Sequence, residues 1–326
     1  MNVSLPPALT AAIEQRLEGV SRKDLAARAD AFSKAYRSGG TSQGIAEEAD
    51  VLAYLVARLP ATYAAVTAAF HATIEVYPEF APATLLDIGA GPGAASWAAV
   101  ELWRSLSTVT LIDHNPRFLG TARELAAKAG HDALRNAHIV AGDLGAAAQQ
   151  PKSDLVVASY VLAELPEDRA AQVARDLWQS SAAMLVLVEP GTPAGFARIR
   201  AVREALIAEG AHAVAPCTHD RPCPMQAPDW CHFSQRLSRS RDHMRTKDAH
   251  VPFEDERYSY FAAARVPPPK VNRARIIAPP EETKAAIALP LCDERGLHRG
   301  VINRRDRAAY NLLRKARWGD TIVSED

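Results

Sequence analysis

The sequence predicts an α/β fold, with a mainly parallel sheet covered by helices on both faces. Three observations predict it. From residue 82 onward, short apolar runs alternate with helical stretches, a glycine-rich turn follows the first run, and aspartates close the next two. A doubly wound sheet needs that alternation, and it binds ligands where strands end and helices begin.

Residues 1–80 read as a helical region. In "EEADVLAYLVARLP" Leu52, Leu55, Val56 and Leu59 share one helical face, and Pro60 ends the pattern. "ATYAAVTAAFHATIEV" resumes it with Tyr63, Val66, Phe70 and Ile74. A core region at 81–210 follows, with five expected strands: "ATLLDIGAG", "STVTLIDHN", "NAHIVAGDL", "DLVVASYVLAEL" and "AAMLVLVEPG". "PRFLGTARELAAKAG" and "PEDRAAQVARDLWQS" are expected helices between them. Residues 211–255 break the rhythm with a polar, cysteine-bearing insertion. The remainder, 256–326, supplies a further core strand in "ERYSYFAAARV", a linker at "VPPPK", and a basic C-terminal extension. That extension holds an expected strand, "AAIALPLC", a turn at "DERG" and a basic helix, "DRAAYNLLRKARW".

"LLDIGAGPG" carries the first chemistry. Gly89, Gly91 and Gly93 let the chain turn tightly after a strand and let a ligand approach the backbone. Asp87 precedes them. Asp113, ending the second strand, is placed to accept both hydroxyls of a ribose, and Asp143 with the amide of Leu144 to meet an adenine. Together these positions resemble the class I S-adenosylmethionine-dependent methyltransferases, with a D-x-G-x-G-x-G turn and two acidic positions after it. The resemblance spans about 82–200 and includes "EPG" after the fifth strand. It implies a Rossmann-like fold and S-adenosylmethionine as cofactor. Ser159, Tyr160, Glu164 and Glu189 stand where an acceptor would be met, but no N-P-P-Y-type motif is present. The catalytic residues are therefore left unassigned.

The second chemistry lies in "CTHDRPCPMQAPDWCHF". Three of the four cysteines fall there with C-x5-C-x7-C spacing, and Cys292 follows after a gap of 60 residues. Four thiolates suit a tetrahedral zinc ion or an iron–sulfur cluster, and the residues leave both open. His219 and His232 are possible substitutes for Cys292, and Trp230 is placed to shield a metal centre.

Four further stretches, "YLVARLPATYAAV", "CHFSQRLSRSRDH", "FEDERYSYFAAAR" and "YNLLRKARWGD", resemble one family across essentially the whole chain. It is the methyltransferase-like ribosomal small-subunit family, found in bacteria and represented in mitochondria by a ribosome-assembly factor. The resemblance implies a small-subunit ribosomal RNA partner, S-adenosylmethionine binding, and a 4Fe–4S cluster on Cys217, Cys223, Cys231 and Cys292. Either rRNA methylation or assembly without catalysis fits it, and a small-molecule methyltransferase is the third reading.

Charge alone fits a solvated face at least as well as an RNA partner, but it leaves room for one. The whole chain is neutral, yet residues 295–317 carry eight basic residues against one acidic. Arg236, Arg239, Arg241, Arg245, Arg314, Lys315 and Arg317 are the expected phosphate contacts, with Tyr310 and Trp318 as stacking platforms. No apolar run reaches the length of a membrane span. The first residues lack the pattern of a secretion signal or transit peptide, so a cytoplasmic protein, monomeric when free, is expected.

Overall fold

The computed structural model describes residues 2–37, 45–166 and 169–323. Parts of the expected N-terminal helical region and of the helix expected at 166–180 lie outside the described residues. Helices α1 (Pro7–Arg16), α2 (Arg22–Arg37), α3 (Glu48–Ala57) and α4 (Leu59–Val76) precede the sheet. The helical pattern does break just ahead of Pro60, between α3 and α4, and Pro60 itself sits in the first turn of α4, where its missing N–H costs nothing.

The core then runs β1 (Thr84–Ile88), α5 (Ala94–Leu102), β2 (Thr108–Asp113), α6 (Pro116–Ala126), α7 (Asp132–Arg135), β3 (His138–Ala141) and β4 (Ser153–Ser159). It continues through α8 (Ala170–Ser180), β5 (Ser181–Pro190), α9 (Pro193–Ala208), β6 (His212–Ala215), β7 (Phe233–Ser238), α10 (Arg241–Thr246) and β8 (Phe253–Ala264). Strand order is β3-β2-β1-β4-β5-β8-β6, with β1 to β5 parallel and β8 antiparallel to both of its neighbours. Caps set the helix entries. Asn115 accepts from the amides of Arg117 and Phe118 ahead of Pro116, and Thr192 accepts from Gly195 ahead of Pro193.

Two apolar cores flank the sheet. One gathers α1, α3, α4 and α5 around Phe70, Trp97 and Trp103, and the other packs α8 and α9 around Trp178 and Phe261. Helices α3 and α4 are apolar almost all round because they are covered on most sides, as core helices are. No single described helix is long and apolar enough to cross a membrane.

β8 is twelve residues long and pairs with β5 on one edge. On its other edge it pairs with β6 through Ala262–Ala264 and with β7 through Phe253–Tyr258. The cysteine segment, 216–232, is thus a loop that leaves one edge of the sheet and returns to that edge. Strands β6 and β7 within 211–255 were not expected, because a half-buried "HAVA" and a charged "FSQRLS" are too short to declare a period.

The C-terminal region departs most from expectation. It is a second, five-stranded sheet of β9 (Arg273–Ile276), β10 (Glu281–Glu282), β11 (Ala286–Asp293), β12 (Gly296–Asn303) and β13 (Thr321–Val323), carrying α11 (Arg307–Leu313). Its own small core is Ala274, Ile276, Ile287, Leu289 and Leu291, with Tyr310 and Leu313 packed against it. β11, the turn after it and α11 lie at the expected places. The other four strands are short, or alternate on a face too exposed to read as apolar.

Candidate functional site

The glycine turn is built as its sequence requires. Gly89, Gly91 and Gly93 all have positive φ. A Cβ on Gly89 would stand 2.6 Å from Val161 Cγ2, and one on Gly93 3.0 Å from Leu111 Cδ2. Close packing and handedness both therefore demand glycine at these two positions. Asp87 lies fully buried beneath the turn, where Oδ2 accepts from the amide (3.0 Å) and hydroxyl (2.7 Å) of Ser96. Burial pushes its carboxyl up to about 7, with the Ser96 bonds opposing that rise.

Asp113 clamps the turn from the end of β2. Its Oδ2 accepts from Gly91 N at 2.7 Å and its Oδ1 from Asn115 N at 2.8 Å. A carboxylate offers about four lone-pair directions, so two remain for a diol. Asp143 is exposed at the end of β3, where it accepts from Gly145 N at 2.9 Å beside half-buried Leu144. Tyr54 of α3 closes the other side of the turn against Phe118, ring centroids 4.9 Å apart. The sequence reading did not pick out Tyr54, although it lies in the quoted "YLVARLPATYAAV".

The acceptor-side residues are engaged with the protein itself. Tyr160 is buried with φ of 61°, an unusual backbone for a bulky side chain. Its hydroxyl donates to Glu256 Oε1 at 2.8 Å, and the Arg58 guanidinium lies 5.5 Å from its ring centre and 3.4 Å from the same oxygen. Glu189 is fully buried, accepting from Leu162 N at 3.1 Å and Arg198 Nε at 3.0 Å, and burial raises its carboxyl to about 7. It fixes the turn after β4. Ser159 and Glu164 are half-buried nearby.

The four cysteines, far apart in sequence, come to one place. Cys217 follows β6, Cys223 lies in the loop, Cys231 precedes β7, and Cys292 comes from β11 of the second sheet. All four line a single cavity of about 40 Å³, several times the ~10–15 Å³ that one water needs. Burial pushes the Cys217 and Cys231 thiols up, and Cys292 to about 12, with neighbouring thiols adding to the rise. Such thiols ionise when a cation supplies the opposite charge. Among the described residues, no three His, Cys, Asp or Glu side chains converge as the ligands of one ion. His219 shares the cavity, whereas His232 stacks on Trp230 and meets the edge of Trp318. Trp230 does not line it, and its Nε1 donates instead to Gly191 O at 3.1 Å.

Sequence reasoning missed two buried arginines there. Arg203 of α9 donates from Nε to Cys217 Sγ at 3.2 Å, and Arg275 of β9 donates from Nε to Pro216 O at 3.1 Å. "ARII", a lone arginine inside an apolar run, was the available signal.

The expected RNA contacts divide. Arg236 forms a two-pronged pair with Asp255 (2.8 and 2.9 Å), and Arg239 is largely covered and engages Glu254. Arg241 and Arg245 are exposed on α10, and Arg314, Lys315 and Arg317 are exposed at and beyond the end of α11. Trp318 is not a free platform, because it packs inward against His232 and Phe233. Tyr310 donates its hydroxyl to Glu282 and lies under Arg304.

Strand order 3-2-1-4-5, extended by an antiparallel strand inserted before β6, together with a glycine turn clamped by an acidic β2 end, defines a class I methyltransferase fold. Within that class the chain belongs to the Rsm22 family, for the family model described as "Mitochondrial small ribosomal subunit Rsm22" matches residues 48–323. It is 30% identical over 297 residues to the human "Ribosome assembly protein METTL17, mitochondrial", covering 83% of this chain and 62% of that one. It is 25% identical over 295 residues to the fission-yeast "Rsm22-cox11 tandem protein 2, mitochondrial", covering 74% of this chain and 38% of that one. The chain thus spans less than two thirds of either relative. Among solved structures, a Synechocystis magnesium protoporphyrin IX methyltransferase aligns with 73% of this chain and 94% of its own, at 15% identity and a TM-score of 0.42. That likeness is too distant to say anything of substrate.

One expectation is overturned. The cytoplasmic placement gives way to mitochondrial relatives, since the family description and the matched proteins are all named as mitochondrial. The placement rested on the composition of the first residues, and an end of a chain that spans only part of its relatives has no bearing on compartment.

Proposed function

We propose that this chain is an S-adenosylmethionine-binding assembly factor of a mitochondrial-type small ribosomal subunit, docked on rRNA through its C-terminal sheet. The observation that carries the assembly reading is the acceptor side. Tyr160 and Glu189, which an enzyme would turn toward a substrate, are held by Glu256, Arg58, Arg198 and the Leu162 amide. Gly89, Gly91 and Gly93 would admit the cofactor, Asp113 would hold its ribose, and Asp143 with Leu144 N would meet its adenine. When bound, the cofactor supplies a methyl group on a sulfonium centre.

Methyl transfer to rRNA is the second reading, favoured by the preserved turn and its acidic partners. Displacement at that carbon depends more on alignment than on a base. Immature small subunits incubated with labelled donor separate the two. Donor binding without incorporation supports the assembly reading, and incorporation into rRNA overturns it.

The cysteine cavity is read as the site of a 4Fe–4S cluster on Cys217, Cys223, Cys231 and Cys292. A cluster takes one thiolate per iron and so spreads its ligands further than a single zinc ion does. Four thiols around one shared cavity supply that number of ligands. Held this way, one cluster fastens the 211–255 insertion to the 256–326 extension. Iron and acid-labile sulfide in equal amounts, in protein purified without oxygen, support this, and zinc without sulfide overturns it.

RNA docking gives a graded expectation. Arg314, Lys315 and Arg317 to alanine together should weaken binding to small-subunit rRNA about tenfold or more. The slope of log affinity against log salt should flatten by about one for each phosphate that is no longer neutralised. Arg236→Ala and Arg239→Ala should weaken binding less, since those guanidinium groups already pair with Asp255 and Glu254. Filter binding across a salt series checks both statements.

A further inference from the structure

We propose that Arg203 and Arg275 balance the charge of the cysteine centre and set its reduction potential. The inference rests on the cluster reading above. Both side chains line the cavity that the four cysteines share. Arg203 is 3% exposed and Arg275 2%, which makes them the two buried arginines among the described residues.

Among the described residues Arg203 has no carboxylate partner, and Arg275 is paired only with the exposed Glu75. Arg203 gives Nε to Cys217 Sγ at 3.2 Å, and Nη2 to the carbonyls of His219 (2.8 Å) and Arg221 (2.5 Å). Arg275 gives Nε to Pro216 O and Nη1 to Gly319 O at 2.7 Å, while its carboxylate neighbour, Glu75, stands 3.6 Å away and is half-exposed. Its Nη2 is buried without a partner. A buried cation without its anion costs several kcal/mol, and an unmet buried donor adds to that cost. The fold tolerates both where an anion belongs.

A 4Fe–4S core in its oxidised state, held by four thiolates, is doubly negative. Two guanidinium groups match that charge. Arg275 Nη2 would be free to donate to a sulfur of such a centre, and Arg203 Nε already donates to Cys217 Sγ. One-electron reduction adds a further negative charge to the centre. Nearby positive charge and N–H donors to sulfur stabilise that reduced state, so they raise the potential. The apolar remainder of the lining, with Phe196, Ile199, Met225 and Phe261, acts in the opposite direction. The register places Arg275 directly across from Cys292 on neighbouring strands, so the charge and its ligand move together.

The test is the midpoint potential of the full-length protein, purified without oxygen and titrated with dithionite while the reduced cluster is followed by electron paramagnetic resonance. Arg203→Gln and Arg275→Gln should each move the midpoint to more negative values, and Arg203→Lys should move it less. A merely structural role would change iron content and leave the potential of the remaining cluster where it was. Glutamine variants that keep their cluster at an unshifted potential overturn the proposal. If the glutamine variants lose the cluster, retention in Arg203→Lys and Arg275→Lys supports charge balance, and equal loss overturns it. Wild-type protein without iron and sulfide removes the cluster reading itself, and is told apart by the absence of any signal to titrate.

Discussion

Serine at Cys231 or Cys292 is expected to remove the metal centre and loosen two distant segments at once, while the methyltransferase core stays folded. Cys292 sits on β11, in register with Arg275 of β9 on one side and Leu297 of β12 on the other. Cys231 sits at the foot of β7, where its carbonyl accepts from Ser259 Oγ at 2.8 Å. A centre held by these cysteines would therefore cross-link the loop 216–232 to the C-terminal sheet, whose own core is only a handful of residues. A small sheet of that kind draws much of its stability from such a cross-link. Limited proteolysis of the native proteins checks this. Cleavage within 216–232 and near 266–272 should accelerate at least tenfold, equivalent to about 1.4 kcal/mol of local opening. The two helical layers around Phe70 and Trp178 should resist as before. Unchanged cleavage in both variants would sink the staple. General cleavage of the core would show instead that the centre is needed for folding throughout.

The core was legible because its strands are buried on both faces and so announce themselves as apolar runs. "LLDI", "TLID" and "MLVLV" each fall within the strand they predicted. The glycine turn was legible for a different physical reason, since only glycine satisfies positive φ beside Val161 and Leu111. The second sheet was not. β12 alternates Leu297, Arg299, Val301 and Asn303 outward, so its exposed face mixes apolar and charged residues and hides the period. The gathering of the cysteines could be suspected from composition but not deduced, because it depends on β6 and β7 sharing one edge of β8. Arg58, Glu256 and Tyr160 were illegible as a group, for they lie nearly 200 residues apart and meet only at the ends of β4 and β8. For the surface arginines, sequence gives charge and not partners. Arg236 and Arg239 find their carboxylates on β8.

Gly89→Ala should abolish donor binding, and the way it does so separates the shape of the turn from its chemistry. The new methyl would sit 2.6 Å from Val161 Cγ2, at a φ of +64° that costs a non-glycine residue about 1–2 kcal/mol. Either Val161 yields or the turn does. Val161→Ala in the same chain removes the 2.6 Å contact but leaves Val161 Cβ at 3.0 Å and the backbone strain, so it should restore part of the lost stability. Asp113→Ala acts otherwise. It removes the acceptor for Gly91 N and Asn115 N and leaves two buried amides unmet, at about 1–3 kcal/mol each. Asp113→Asn keeps one carbonyl acceptor but no charge. It should retain more of the turn while losing the bonds that a carboxylate alone can offer to two hydroxyls. Calorimetric titration with S-adenosylmethionine and with its demethylated product should show at least a hundredfold loss for Gly89→Ala and Asp113→Ala, about 2.7 kcal/mol. Asp113→Asn should fall between them and the wild type, with a melting temperature between those of Asp113→Ala and the wild type. If all three variants bind the donor as tightly as the native chain does, the ligand does not lie on this turn; if the native chain binds none, the fold has kept the shape of a methyltransferase without its cofactor. In that case the C-terminal sheet and the cysteine centre would carry the function alone.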